Sequence, residues 1–329
     1  MKNNGFGPFE TRRRWLAAGA ALPAFASLGT LHAQAKPPVV IGWLDAGRNP
    51  NALKAFNEGM AALDWKLGAQ YVLEERYADG RVERLPALAL ELAAKKPAVI
   101  VAAPSASVRA AAGAAPTTPV VRSSGDSPLT GLVHSLARPG GMVTGVSSVS
   151  DDVTLKEIEL LAESIPRLQR VGFLADSTSL GRDANVSNAR SAAERFHFEA
   201  VIVDMARPED IEPAFVRLVG AKIQALVTLP STWFSAHSST IMRLALAQRW
   251  PVVGAGVRQG GLLSYGPSHA ALARRAAYYV DRILKGAKPG DLPIEQPTTF
   301  ELMLNLKTAK TLGITFPPSM RLRATEVIE

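Results

Sequence analysis

The sequence predicts an α/β protein made of two similar lobes with parallel sheets, and three observations carry that prediction. Short β-branched runs alternate with helical segments of period 3.6, the pattern of βαβ units around parallel strands. The alternation runs through twice, with a break after Val149. Of 329 residues, 294 follow Ala35, enough for two domains that each bury a core.

The first segment in order, residues 1–35, is an export signal. Arg12, Arg13 and Arg14 precede Trp15-Leu16, an Ala-rich apolar stretch runs to Leu31, and Ala33-Gln34-Ala35 has the small-x-small form of a cleavage site. Paired arginines in that position point to twin-arginine export, which carries folded proteins across a membrane. Gly19, Pro23 and Gly29 interrupt the apolar stretch, which makes it a poor membrane span. Cleavage after Ala35 and a periplasmic location are therefore expected.

In the first half, strands are expected at 39–44, 71–77, 98–102, 119–122 and 143–146. Helices with apolar faces lie between them, one through Leu53, Phe56, Met60 and Leu63 and another through Leu85, Leu88 and Leu92. Asn49-Pro50 and Ser127-Pro128 are cap-then-N1 pairs, each placed to open a helix. The second of these helices would carry His134. The second series begins with a helix at 152–165, followed by strands at 170–175, 200–203, 225–229 and 252–254. Its crossover helices are expected at 182–196, 208–219 and 235–249. The closing stretch has an extended run at 262–265, a helix across 270–284 and another extended run at 299–306. Gly260-Gly261 and Pro289-Gly290 mark bends in it. Element order alone does not place this stretch in the second series, but a chain that returns to the first lobe and crosses back would use it.

Composition narrows the function. The formal net charge is +8, of which the export signal carries +3, and no basic stripe interleaved with aromatics appears. Nucleic acid is not an expected partner. The absence of cysteine excludes disulfides, thiolate metal sites, cysteine nucleophiles and a lipid-modified N-terminal Cys. His134, His197, His237 and His269 are scattered without metal-ligand spacing. Residues 254–260 superficially resemble a dinucleotide loop but carry one residue too many, and a Gly-Gly turn stands where the helix should run. No Gly-x-Ser-x-Gly elbow or Gly-Lys-Ser/Thr phosphate loop is present. Neither catalysis nor a cofactor or metal is expected.

In open parallel sheets, ligands bind outside the carboxyl ends of the strands. Six loops lie there. In lobe one they are Asp45-Ala46-Gly47, Pro104-Ser105-Ala106-Ser107 and Ser123-Ser124-Gly125-Asp126. In lobe two they are Asp176-Ser177-Thr178, Pro230-Ser231-Thr232-Trp233 and Gly254-Ala255-Gly256. The candidate binding residues are Asp45, Ala46, Ser105, Ser107, Ser124, Asp126, Ser147, Asp176, Ser231, Thr232 and Trp233. Small hydroxyl residues at helix starts offer donors to an anion such as a carboxylate, and also cap their own helices. Asp45, Asp126 and Asp176 fit a ligand ammonium, and Asp is equally a turn residue. Two roles fit Trp233, an aromatic wall for a planar ligand or a plug that packs its loop down.

One stretch resembles a known family. Residues 131–147 read Gly-Leu-Val-His-Ser-Leu-Ala-Arg-Pro-Gly-Gly-Met-Val-Thr-Gly-Val-Ser, similar to the substrate-binding proteins of ABC transporters. The subfamily includes receptors of the tryptophan and aromatic-amino-acid type. The likeness continues through 260–267, 279–289, 305–310 and 324–329, nearly the whole mature chain. This chain has Met142 where the family commonly has Asn. The family's Asp-Pro pair reads Asp126-Ser127-Pro128, and its frequent Gly-Thr-Pro loop reads Pro104-Ser105-Ala106.

The resemblance implies a type I periplasmic-binding-protein fold, two Rossmann-like lobes joined by a three-crossover hinge. The crossovers would fall near 145–150, 260–265 and 295–304. Residues 36–147 with 265–295 would form lobe 1, and 148–264 with 296–329 would form lobe 2. It further implies a monomeric periplasmic receptor that captures a small organic solute, such as an amino acid or other carboxylate, for a membrane ABC permease. Two other functions fit the same scaffold, a solute sensor that feeds a membrane signalling partner and an exported enzyme. A pull-down of membrane partners separates the first from transport, and turnover of a bound solute identifies the second.

Overall fold

The computed structural model describes residues 37–125, 129, 131–148, 152–179 and 181–329, with nothing said of the side chains of Asp152 and Thr232. Residues 1–36, on which the expected export signal falls, Asp126 and the Ser127-Pro128 pair lie outside the described residues.

The first sheet holds β1 (Val39–Asp45), β2 (Tyr71–Tyr77), β3 (Val99–Ala103), β4 (Val120–Arg122) and β5 (Val143–Gly145). All pairings are parallel, in the order β2-β1-β3-β4-β5. Its inner strands β1 and β3 read as near-continuous apolar runs because helices cover both faces, whereas the edge strand β2 carries Glu74, Glu75 and Arg76. On one face lie α1 (Pro50–Ala62), which supplies Phe56 and Met60, and α9 (His269–Leu284), which supplies Leu272, Ala276 and Val280. On the other lie α2 (Leu85–Ala94) and α3 (Ser105–Ala114). The Asn49-Pro50 pair does open α1, with Asn49 Oδ1 accepting from the Ala52 N–H at 3.0 Å. Such a cap contributes about 1 kcal/mol.

The second sheet comprises β6 (Arg170–Asp176), β7 (Glu199–Met205), β8 (Ala225–Thr228), β9 (Val252–Val253), β10 (Leu263–Pro267), β11 (Phe300–Asn305) and β12 (Glu326–Ile328). Their order is β12-β11-β10-β9-β8-β6-β7, and only β10 with β11 is antiparallel. From β7 through β10 the order repeats that of the first sheet, strand for strand. The helices of this series are α4 (Asp152–Ser164), α5 (Arg182–Phe196), α6 (Ile211–Gly220), α7 (Thr232–Ala236) and α8 (Ser238–Ala247). The closing helices α10 (Leu306–Leu312) and α11 (Pro318–Arg323) also pack on this lobe, through Ala309 and Met320.

Two expected helices differ. The stretch 235–249 is split at His237 into α7 and α8. Residues 131–141 form turns rather than a helix carrying His134. Their backbone is spent elsewhere: Leu136 O accepts from the Ile294 N–H at 2.7 Å, and the Gly140 N–H donates to Gly290 O at 3.0 Å. The loop that resembles a dinucleotide fingerprint serves a turn. A Cβ on Gly254, at φ 106°, would stand 2.5 Å from Thr228 Oγ1, and only the 3-10 turn Val257–Gln259 follows.

Three crossovers join the lobes. The first leaves β5 at Val146 and the third enters β11 from Glu295, and the two run side by side. Glu295 N–H donates to Gly145 O at 3.0 Å, and Ser147 N–H donates to Glu295 O at 2.8 Å. The second lies at Ser268, whose N–H donates to Thr299 O at 3.0 Å. It falls beyond the expected 260–265 because β10, seated between β9 and β11, runs on to Pro267. Among the described residues, no helix is long and apolar enough to cross a membrane.

Candidate functional site

Both sheets have the 2-1-3-4-5 order, so each has a topological switch point between its first and third strands, where ligands sit in open α/β sheets. In lobe one that point is flanked by Asp45, at the end of β1, and Pro104-Ser105, just past β3. In lobe two it is flanked by Asp176, at the end of β6, and Pro230-Ser231, just past β8. The loops at the two switch points bound the candidate cleft. At its rim the loop after β2 meets α7, where a Cβ placed on Gly80 would stand 2.9 Å from Ala236 Cβ.

The lobe-one wall starts from Asp45, which is half-buried. Its Oδ1 accepts from the Gly47 N–H at 3.1 Å. Burial pushes its carboxyl up to about 7, against the pull of backbone donors at Gly47 and Ala46. Ala46 itself is buried, and its backbone joins two loops, donating to Ala103 O at 3.0 Å and accepting from the Gly80 N–H at 2.7 Å. Ser105 is the first residue of α3 rather than its cap, and its Oγ accepts from Arg122 Nη2 at 3.3 Å. Ser107 is fully buried and donates to Ala103 O at 2.7 Å, so its hydroxyl fixes the β3–α3 turn instead of facing the cleft. Ser124 contributes its carbonyl, which accepts from Arg122 Nε at 3.2 Å. Ser147 is buried in the first crossover.

The lobe-two wall is a closed network. Asp176 Oδ1 accepts from the Thr178 N–H at 2.9 Å and from Thr178 Oγ1 at 2.6 Å, while Oδ2 accepts from Ser231 Oγ at 2.6 Å. Ser231 also caps α7, accepting from the Trp233 N–H at 3.0 Å. Thr232 opens that helix. The Trp233 indole is half-buried, edge-on to Phe234 at 5.3 Å and stacked on His237 at 4.2 Å. Its visible partners are thus those of a packed loop residue.

Three features were not anticipated. Arg122, almost completely buried at the end of β4, donates to the carbonyls of Ser124 and Gly125 and so shapes the third loop. The only sequence signal was an arginine closing the apolar run Val120-Val121. Glu157 on α4 is buried, and its Oε1 accepts from the Tyr265 N–H at 3.2 Å, where β9 has ended and no strand serves that edge of β10. Burial pushes its carboxyl up to about 8. Its signal was a carboxylate among the inward positions Thr154, Ile158 and Leu161. The third feature is a clamp in which the Arg275 guanidinium on α9 grips Glu295 with two bonds of 2.7 and 2.6 Å.

Among the described residues, no group of three or more His, Asp or Glu side chains is placed to hold a metal ion. A separate groove of about 810 Å³ lies at the amino ends of β1, β3, β4 and β5, lined by Val39, Ala98, Pro119, Met142 and the 283–291 turn. It is at the opposite end of the strands from the cleft, where no loop of the candidate site reaches.

Comparison with known proteins gives three kinds of match. A family model described as ABC transporter substrate binding protein matches residues 46–328. A tyrosine-binding protein of Clostridioides difficile (strain R20291) is 25% identical over 188 residues, which are 56% of this chain and 53% of the relative. The match therefore spans about half the length of that relative. Among solved structures, the ABC domain from Streptococcus pneumonia in complex with L-Trp superimposes with a TM-score of 0.81 at 24% identity, covering 89% of this chain and 100% of that one. A ligand-free, open substrate-binding protein with adhesive properties from Clostridium difficile gives 0.67 at 21% identity, covering 88% and 99%. At these identities the likeness establishes the fold, the two-lobed α/β architecture of type I periplasmic binding proteins.

Proposed function

Because this chain belongs to the ABC transporter substrate-binding protein family, a family of solute binders rather than catalysts, we propose that it is a receptor that captures a small organic solute between its lobes and delivers it to a membrane ABC permease. The single observation that carries this reading is the pair of switch points, one per lobe, in lobes whose carboxyl-end loops approach each other at Gly80 and Ala236. A solute that touches both walls favours the closed form, since only contacts made in that form shift the equilibrium. The three crossovers act as the hinge.

The finer parts of the reading follow from the export signal and the relatives. The protein works as a monomer in the periplasm after cleavage behind Ala35, with lobes close to 36–147 plus 265–295 and 148–264 plus 296–329, the boundary at 265 moved to Ser268 because β10 belongs to the second sheet. Relatives named for tyrosine and seen with L-Trp support a solute in the class of amino acids or other carboxylates. Asp45, Ser105 and Ser124 stand on one wall, and Ser231 and Trp233 on the other. A thermal-shift panel of amino acids, carboxylates and aromatics on the purified mature protein tests the proposal. At least one solute raises the melting temperature, and no shift across the panel overturns the reading.

A further inference from the structure

In lobe two the connections that lead from a helix back into β6, β7, β8 and β9 gather at one pole, the amino ends of the strands. Each connection turns through an exposed residue in the left-handed region, and each of those residues is basic: Arg167 at φ 66°, His197 at 58°, Lys222 at 54° and Arg249 at 56°. Glycine or asparagine suits such a position best, so backbone geometry does not select a cation there. A helix ends at each connection, and its dipole favours positive charge. That local cause does not reach Lys307, which stands in the first turn of α10 at the same pole, the end where a cation is disfavoured.

Two bonds draw these cations into one stripe. Arg249 Nη2 donates to Thr311 O at 3.4 Å, beside Lys310, and Arg170 Nη1 donates to Ala221 O at 3.1 Å, beside Lys222. The stripe crosses β11, β10, β9, β8 and β6, a width of roughly 19 Å at the usual strand spacing. Among the described residues, none of Arg167, Arg170, Lys222, Arg249, Lys307 and Lys310 is in an ion pair. Elsewhere on this lobe, Arg258 and Arg323 are held by Glu326 and Glu163. The acids of the pole flank the stripe, Glu194 and Glu199 beside His197 and Glu329 past β12. Lobe one is not built this way. Its counterpart connections carry Asp64 with Lys66 before β2, Lys95 and Lys96 before β3, and no charge at 115–119 before β4, and Lys95 lies 3.9 Å from Glu74.

We propose that this pole of lobe two is a docking surface for an anionic phospholipid bilayer. A broad stripe of one sign matches a laterally extended layer of phosphates, and each cation near such a layer adds to the attraction. The aromatic residues of the pole, Phe198 and Trp250, are buried, so no ring is offered for a base to stack on. The cleft lies at the other end of the strands, so docking leaves it clear. The inference stands on the charge of the pole and not on what the cleft binds.

The test is flotation of the full mature protein with two kinds of vesicle, phosphatidylcholine alone and phosphatidylcholine with about three-tenths phosphatidylglycerol. The anionic vesicles carry at least about tenfold more protein than the neutral ones, and about 0.5 M salt releases it. Lys222→Glu, Arg249→Glu and Lys310→Glu together lower that binding at least about tenfold. The same change of charge at Arg190→Glu, Arg243→Glu and Arg282→Glu, exposed cations on α5, α8 and α9, lowers it less than about threefold. If circular dichroism shows the first triple variant unfolded, Lys307→Glu with Lys310→Glu takes its place. Equal losses in the two triple variants assign the attraction to net charge and overturn the proposal. Binding that survives high salt, or that is as strong on neutral vesicles, also overturns it. So does a protein that ignores the anionic vesicles, and its retention of a single-stranded oligonucleotide in the same buffer would reassign the stripe to nucleic acid.

Discussion

Gly80 and Ala236 bring the two lobes together: a Cβ on the glycine would stand 2.9 Å from that of the alanine. Gly80 has a φ of 81°, in the left-handed region, and its N–H donates to Ala46 O at 2.7 Å beside Asp45. The loop that forms the rim is thus tied to the candidate ligand wall. Gly80→Val should hold the rim apart and weaken solute affinity by roughly tenfold, about 1.4 kcal/mol. Strain at φ above zero lowers stability by about 1 kcal/mol or more as a separate effect. Adding Ala236→Gly should recover part of the affinity but none of the stability. A double-mutant cycle on both quantities checks this, and equal affinity in Gly80→Val would remove the rim contact from the closing mechanism.

The strands were legible because buried parallel strands leave β-branched runs, as in Val99–Ala103, where all five residues are buried. The site was legible only in its addresses. Asp45 and Asp176 were found as strand-end acids, but sequence gives them equal standing. The difference lies in Ser231, 55 residues from Asp176, which satisfies one aspartate while its counterpart Ser105 turns away. Pairings at that separation leave no local trace. The split at His237 was illegible for a related reason: its Nδ1 lies 2.9 Å from Trp233 O, a local bond that competes with continued helix. His134 reads as helical because the partner of its segment, the 290–294 return, is distant in sequence.

Ser231 serves Asp176 and the start of α7 at once, so its removal should cost stability more than binding. Ser231→Ala deletes a cap and leaves a buried carboxylate oxygen without its donor. The expected loss is about 1–3 kcal/mol, measured by urea unfolding. Ser231→Thr, which keeps the hydroxyl, should lose less than half of that. A loss below 0.5 kcal/mol (on the order of an ordinary surface change) would mean that the network is ornamental to folding.

Glu157 should make the protein less stable at neutral pH than at mildly acidic pH. Its carboxyl is pushed from 4.5 to about 8 by burial, so the native state keeps a proton that the unfolded chain releases above 4.5. Stability contributed by this group is full below that value and falls as pH rises from 4.5 to 8. Glu157→Gln retains an oxygen for the Tyr265 N–H and carries no charge. It should stabilise the protein at pH 7 by on the order of a few kcal/mol and have little effect at pH 4. Melting curves at the two pH values check the difference, and an equal shift at both would assign the effect to packing.

Arg275 and Glu295 should act as the anchor of the hinge on the lobe-one side. Glu295 lies where the first and third crossovers pair, and Arg275 stands on α9 just beyond the second. The guanidinium also covers the Tyr278 ring at 3.9 Å, which fixes its plane. The bond from Arg275 holds the Glu295 carboxyl below its usual value. Its stabilising share is therefore present above about 4.5 and is lost as pH falls through the lowered value. Both side chains are more than a third exposed, so solvent screening limits the pair to about 1 kcal/mol of stability. The larger effect of Arg275→Met should be on geometry: with the crossovers released from α9, the unliganded protein samples wider openings. Small-angle scattering should then give a larger radius of gyration without solute and a normal one with it. Arg275→Lys, which keeps one charge but not the two-pronged grip, should fall between them. An unchanged radius in both variants would place the pivot elsewhere.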